Sequence, residues 1–426
     1  MNILHLTARY HPARGGAENY LAEISTGLVA KGHQVTVATS DALDVELFWQ
    51  PGMRRVPEQE SEIEGVRVLR FPVRHLPWMY YTYPALRRLL WIFSYLPIVP
   101  QKLALQLARF TPWLPDLWPW LRAMQETFDI VVGVNVCFEP MLEAGLIVAR
   151  HQNIPLLGYP LTHLGAGESP GQDPLSRFYT MRHQLALLQQ YDGLIAQTPT
   201  EKQFYQGHGV PSKQIWPIGP GVNLNDYQGG DGAAFRQRHQ IEGPLIIAIS
   251  QLTYDKGTIH TAEAVRQLWK EGRRVELALA GSVLEPFSRY LDQLPQEDRN
   301  RIRLLGFISD AERSDMLAAA DMLVMPSRTE SFGIVYLESW LHGKPVIGAK
   351  TWGVNDVIRD GEDGLLVPFG DVPALAKAMT YFLDDPDRAA VMGERGKSKV
   401  QQHHTWDQKI ESLEKIYKGL ISQHKL

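Results

Sequence analysis

The sequence predicts an α/β protein made of two doubly wound parallel-sheet domains in series, and three observations carry that expectation. Short, wholly apolar runs alternate with helical patterns along both halves of the chain. Sixteen residues from Pro217 to Gly232, seven of them Gly or Pro, interrupt the alternation and read as a linker or hinge. At 426 residues the chain is too long for one ordinary core, and about 150 residues per domain gives two or three.

In order, Asn2 to Ala8 reads as a buried strand, followed by a Gly-rich turn at Gly15-Gly16. A helix then carries Leu21, Ile24 and Leu28 on one face and stops at Gly32. Apolar strands are expected from Gln34, Val66, Asp129, Ile154 and Asp192. Beyond the hinge the series restarts, with strands from Pro244, Val275, Ile302, Asp321, Pro345 and Gly364. Strands apolar throughout imply sheets covered on both faces. Ligands of open parallel sheets sit at the carboxyl ends of strands, so two such sheets facing a cleft would place the site there.

Composition narrows the function classes. The formal charge is 43 − 47 = −4, so no global basic field recruits nucleic acid. One cysteine, Cys137, excludes an internal disulfide framework and a multi-cysteine zinc site, and fits a reducing, cytoplasmic location. The start of the chain lacks a signal-peptide pattern, and no stretch reaches about 18 uninterrupted apolar residues.

One segment departs from the pattern. Trp78 to Trp120 holds eleven aromatic residues in 43, five of them Trp, with Arg87, Arg88, Lys102 and Arg109 against Asp116 alone. It reads as an insertion into the first domain. Three readings stay open: extra core, an amphipathic surface for a lipid or apolar acceptor at the inner membrane surface, and self-association.

Four clusters lie at strand ends. Gly15 and Gly16 precede a helix, where a backbone can approach a phosphate and unpaired N–H groups face it; this is not a dinucleotide G-x-G-x-x-G. Lys256 follows the first strand of the second half beside Gly257, a compact positive charge suited to a diphosphate. Glu330 and Glu338 flank "SFGIVYL"; on a continuous helix they would stand about 12 Å apart. That exceeds the roughly 5–9.5 Å of a glycosidase acid pair, so they are expected to hold separate parts of one long ligand. His163 ends a strand, with a Gly-, Ser- and Pro-containing loop behind it that can close over a substrate. Asp385 and Asp387 fall in a turn and are assigned no metal role.

Together these motifs resemble glycosyltransferase family 4, the retaining, nucleotide-sugar-dependent enzymes of the GT-B fold, which has two Rossmann-like domains. The likeness runs from "GGAE" at Gly15 through "GPGVNLNDY" at Gly219, "DKG" at Asp255, "LLGFIS" at Leu304 and "ESFGIVYLE" at Glu330 to "GEDGLLVP" at Gly361. It implies residues 1–216 as an acceptor-side domain with the insertion at 78–120. Residues 217–400 would bind the nucleotide sugar, and residues 401–426 would form a helix returning to the first domain. Lys256 would neutralise the leaving diphosphate and Glu330 would contact donor sugar hydroxyls. The backbone of Phe332, Gly333, Ile334 and Val335 would hold sugar and phosphate, and Glu338 the ribose. Gly306, Phe307 and Ile308 would line the nucleobase pocket, Gly15 and Gly16 would approach the diphosphate, and His163 would sit near the transferred sugar. No metal or cofactor is expected, the nucleoside-diphosphate sugar being a substrate.

The chain departs from the family at Gln251, where an arginine is usual five residues before the lysine. Arg9 or Arg14 is a candidate to supply the missing charge. The resulting expectation is a retaining hexosyltransferase moving sugar to an acceptor hydroxyl on a glycan, lipid-linked sugar or small molecule. A nucleotide-sugar epimerase or hydrolase, and a non-catalytic binding subunit, are the alternatives.

Overall fold

The computed structural model describes residues 1–227 and 229–424; Gln228, inside the expected hinge, and Lys425 and Leu426, in the expected last helix, lie outside the described residues. The chain divides into two compact units. The first comprises Met1–His163, Pro174–Gly219 and the residues from Trp406, and the second Leu164–Asp173 with Pro220–Thr405.

The first unit is built on eight strands: β1 (Asn2–Leu6), β2 (Gln34–Ser40), β3 (Glu60–Ile63), β4 (Val66–Phe71), β5 (Ile130–Val134), β6 (Leu156–Tyr159), β7 (Gly193–Ala196) and β8 (Ile215–Pro217). Their order is β3-β4-β2-β1-β5-β6-β7-β8, parallel except for the β3–β4 pair. The central strands are apolar because both faces are covered: Ile3, Val37, Ile130 and Val132 are fully buried, with Leu21, Ile24 and Leu28 of the helix Gly16–Ala30 in the same core.

The last helix, Trp406–His424, completes that core with Ile410, Leu413 and Tyr417. Tyr417 places its hydroxyl 3.0 Å from that of Tyr159 and 3.5 Å from His5 Nε2, while Ser25 Oγ lies 2.9 Å from His5 Nδ1. A buried polar chain therefore fixes this helix where apolar packing alone would let it slide.

The insertion is helical over Met79–Ser94, Gln101–Ala108 and Leu117–Ala123. Its Leu90, Ala104 and Ala108 form a small core together with Met181, which lies beyond the insertion. Trp91 stacks near Phe178, Trp120 lies against Phe71, and the Arg109 guanidinium covers Trp118. Trp78, Tyr80, Tyr81 and Tyr95 are exposed instead. The segment is thus part core and part surface.

The second unit carries six parallel strands: β9 (Leu245–Ile249), β10 (Glu276–Ala280), β11 (Ile302–Gly306), β12 (Met322–Met325), β13 (Val346–Ala349) and β14 (Leu365–Val367). Their order, β11-β10-β9-β12-β13-β14, is that of a doubly wound dinucleotide-type sheet. Both units have the α/β class expected from the sequence. Among the described residues no helix is long and apolar enough to cross a membrane.

Candidate active site

In the second sheet the strand order reverses between the neighbours β9 and β12, so the loops leaving them diverge and open a crevice at their carboxyl ends. Each loop closes on a left-handed glycine. Gly257, φ 75°, starts the helix Thr258–Lys270, and a Cβ there would overlap the Pro326 carbonyl oxygen. Gly333, φ 89°, starts the helix Ile334–Leu341, and a Cβ there would overlap the Tyr336 ring. Tyr336 donates its hydroxyl to the Met325 carbonyl at 2.6 Å, which ties that helix to the end of β12.

This close approach brings two expected catalytic residues into contact. Lys256 Nζ donates to Glu330 Oε2 at 2.8 Å and to the Thr329 carbonyl at 3.0 Å. The side chains are 23% and 14% exposed, so the pair is shielded enough to matter yet open to solvent and ligand. Beside it, Arg328 donates through Nε and Nη2 to Asp255 Oδ1 at 2.7 and 2.6 Å. Its guanidinium sits 5.3 Å from both the Tyr254 and Phe369 ring centres.

Glu330 lies in the turn before Gly333, not in the helix, so the helical spacing to Glu338 considered above does not apply. Glu338 is buried in the second turn, where Arg313 Nη1 donates to its Oε1 at 3.1 Å. Phe332 is buried, and Ile334 and Val335 pack partly against the same core. The first N–H groups of that helix lack partners within it. Gly306 ends β11 at φ 65° with open space where a Cβ would stand. Phe307 is 81% exposed, and Ile308 leans on the core. Gln251 is exposed just beyond β9.

Gly15, Gly16 and His163 belong to the first unit. Gly15 has no room for a side chain because Glu18 occupies that space, whereas Gly16 faces open space. Glu18 pairs with Arg9 at 2.6 Å, and Arg9 Nη1 also donates to the Leu43 carbonyl at 3.1 Å. Both contacts of Arg9 lie within its own unit, and Arg14 is exposed. The His163 ring makes an edge contact with Tyr179, centroids 4.6 Å apart.

Sequence reasoning missed a charged cluster at the end of β5, where the first sheet reverses. Glu139 opens the helix Glu139–Gln152 and accepts from Arg87 Nη1 on both oxygens at 2.9 and 2.8 Å. Gln184 Nε2 donates to it at 2.8 Å, and His183 Nε2 lies 3.1 Å away. Burial alone would push this carboxyl up; the Arg87 charge and the His183 hydrogen bond outweigh it and hold it below its ordinary value. Arg87 thus corrects the lipid-facing expectation: it is an internal ion-pair partner. Arg109 likewise pairs with Glu143 at 2.8 Å. Arg88 and Lys102 are the exposed basic residues of the four.

Among the described residues no group of three or more His, Cys, Asp or Glu side chains is arranged to hold a metal. Asp385 instead caps the helix Pro386–His403, accepting from the Arg388 N–H at 3.1 Å.

Two family models match. Residues 233–399 match "Glycosyl transferases group 1", and residues 15–221 match "Glycosyl transferase 4-like domain". Alpha-D-kanosaminyltransferase of Streptomyces kanamyceticus is 31% identical over 38% of this chain and 42% of that protein, so this match spans under half of the relative. D-inositol 3-phosphate glycosyltransferase of Acidothermus cellulolyticus is 24% identical over 96% of this chain and 87% of that one. In fold, HepE of Anabaena, solved in complex with UDP-glucose, superposes with a TM-score of 0.71 at 20% identity, covering 98% of this chain and 100% of that chain.

Proposed function

The chain belongs to the group 1 glycosyltransferases with a glycosyltransferase 4-like first domain, and from that membership we propose a retaining transferase that moves a hexose from a nucleoside-diphosphate sugar to an acceptor hydroxyl. The observation that carries this reading is the Lys256–Glu330 contact at the β9/β12 reversal, beside the helix start at Gly333.

The chemistry follows from where charge develops. Departure of the diphosphate leaves an oxocarbenium-like sugar and builds negative charge on the leaving oxygen. Lys256 and the first N–H groups of the helix Ile334–Leu341 are fixed donors aimed at such charge, and they need no reorganisation when it forms. Glu330 accepts hydrogen bonds from sugar hydroxyls, and Lys256 keeps that carboxylate oriented until the donor arrives. Glu338, held by Arg313, takes the ribose hydroxyls. Phe307 offers an exposed ring for a nucleobase to stack on, with Gly306 leaving space for it. The roles of Gly15, Gly16 and His163 rest on the family resemblance. Acceptor attack on the face the diphosphate leaves retains configuration, and this scheme requires no metal.

The donor class is supported by the UDP-glucose complex of HepE. For the acceptor, an exposed stripe favours a membrane-surface location. Tyr81, Ala85, Arg88 and Ile92 recur every three or four residues along Met79–Ser94, followed by Tyr95 at its end, Leu96 and Ile98, which is 87% exposed. No acidic residue occurs between Glu64 and Asp116. Such a face suits an anionic bilayer interface at the cytoplasmic side. The deciding experiment incubates the full chain with UDP-, GDP- and ADP-sugars and a panel of polyol, glycan and lipid-linked acceptors. Product with the donor's anomeric configuration supports the proposal. Absence of both binding and turnover across the panel would refute it.

A further inference from the structure

The chain leaves the first unit after His163, spends Leu164–Asp173 in the second, and returns at Pro174. This ten-residue strap is a formed loop, not a slack linker. The Gly171 N–H donates to the Leu164 carbonyl at 2.8 Å, and the Ala166 N–H donates to Asp173 Oδ2 at 3.2 Å. Gly165, φ 74°, could carry no side chain, because the Asp173 carboxylate fills that space. With glycine at 165, 167 and 171, the strap loses more backbone entropy on ordering than most segments its length, so something outside it must hold it.

One residue does so twice. The backbone N–H of Trp352 donates to the Gly165 carbonyl at 3.1 Å, and its indole Nε1–H donates to the Gly167 carbonyl at 2.9 Å. The next residue, Gly353, packs on the turn that carries Glu330: a Cβ there would stand 2.6 Å from the carbonyl oxygens of both Glu330 and Ser331. Two consecutive residues therefore grip the strap on one side and the Glu330 turn on the other.

We propose that Trp352 is a positioning residue, a latch that fixes strap 164–173 to the Glu330 turn and thereby sets the backbone from which the Glu330 carboxylate projects. Its indole does this through a directional N–H donor; a side chain that only filled space would not. The catalytic consequence rests on the glycosyltransferase reading, whereas the latch itself does not. In this scheme, order in the Glu330 turn, which takes the donor sugar, and order in the strap rise and fall together.

The test uses full-length Trp352→Phe, which keeps an aromatic ring and removes the N–H, and Trp352→Ala. Amide hydrogen exchange is read first, without any ligand. Strap amides should exchange about tenfold faster in Trp352→Phe and faster still in Trp352→Ala, with β9 and β12 amides unchanged. Wild-type protection of the strap in Trp352→Ala would overturn the latch whatever the enzyme does. Turnover is read second, with a donor that the wild type uses. The kcat for transfer should fall about tenfold, the donor KM should stay within about twofold, and donor hydrolysis should rise relative to transfer. Unchanged kcat with a loosened strap would overturn the positioning role, and so would a parallel loss of donor binding and Tm, which would mark Trp352 as merely structural. A wild type inert with every nucleotide sugar would sink the transferase reading and leave the exchange result standing.

Discussion

Lys256 and Glu330 are 74 residues apart in sequence and 2.8 Å apart in the folded chain. Two left-handed glycines and a tyrosine hydroxyl make that approach possible. The pair is the part of the molecule in which fold and chemistry are least separable: the strand reversal brings the loops together, and the ion pair sets their polarity.

Replacing Lys256 by Ala should lower kcat/KM by about 2–4 kcal/mol, the cost of one preorganised donor at a developing charge. Glu330→Gln should also lower turnover strongly, with Tm nearly unchanged because the carboxylate stands in a crevice and not in the core. Steady-state kinetics with the best donor, beside a thermal melt, decides this. Full activity in either variant would remove these residues from the mechanism. Dialysis against EDTA should leave the wild-type rate as it was; loss of activity that manganese restores would contradict the metal-free scheme.

Much of this was legible in the sequence. Each strand expected from an apolar run is present, because a strand covered on both faces must be apolar along its length. The two strands not expected, β3 and β8, are the outermost of the first sheet. β3 reads "ESEI", half-exposed and antiparallel, and β8 has three residues ending in Pro217, so neither carries the apolar signature. Pairings between distant segments were not legible. Arg313 with Glu338, Arg328 with Asp255 and Arg87 with Glu139 are ordinary residues until the fold joins them. Nor does composition mark 164–173 as part of the second unit, since its grip depends on Trp352, almost two hundred residues on.

Arg87 and Arg88 are adjacent and should behave oppositely. Arg87→Ala leaves Glu139 buried without its cation and should destabilise the first unit by about 3–5 kcal/mol. Arg88→Ala, at an exposed position, should change stability by no more than about 0.5 kcal/mol. Urea denaturation of the two variants checks it. Equal effects would mean that the buried pair is not what anchors the insertion.

The membrane-surface reading makes a prediction that avoids Arg87. Wild-type protein should float with anionic liposomes at low salt, and less so as salt rises. A Trp78→Ser, Tyr81→Ser, Ile98→Ser variant should stay in the soluble fraction, because it removes the exposed rings and side chain that enter the interface. Arg88→Glu should weaken flotation on anionic vesicles only, at about 1 kcal/mol per charge. Wild type that remains soluble at low salt would move the acceptor to the aqueous phase.

The last prediction concerns pH and the buried chain under the C-terminal helix. His5 is fully buried between Ser25 and Tyr417, and desolvation lowers its pKa to about 3. In the unfolded chain it returns to about 6.5. Between these values the unfolded state binds a proton that the folded state refuses, so stability falls as pH drops below about 6.5 and levels off near 3. The slope this one group adds approaches 1.4 kcal/mol per pH unit in the middle of that window. His342, lowered to about 4 by burial and then by Lys344 and Lys397, adds a similar term in the second unit. A bare pH profile therefore cannot assign the effect; the comparison that can is wild type against His5→Gln, in which His342 is common to both. Unfolding of the first unit, followed through exchange of β1 amides at pH 7, 6 and 5, should show a weaker pH dependence in His5→Gln, even if its stability at pH 7 is lower for want of the imidazole packing. Parallel profiles would mean that His5 already shares a proton with its neighbours in the fold, and that the chain from Ser25 through His5 to Tyr417 is not the neutral network its burial implies.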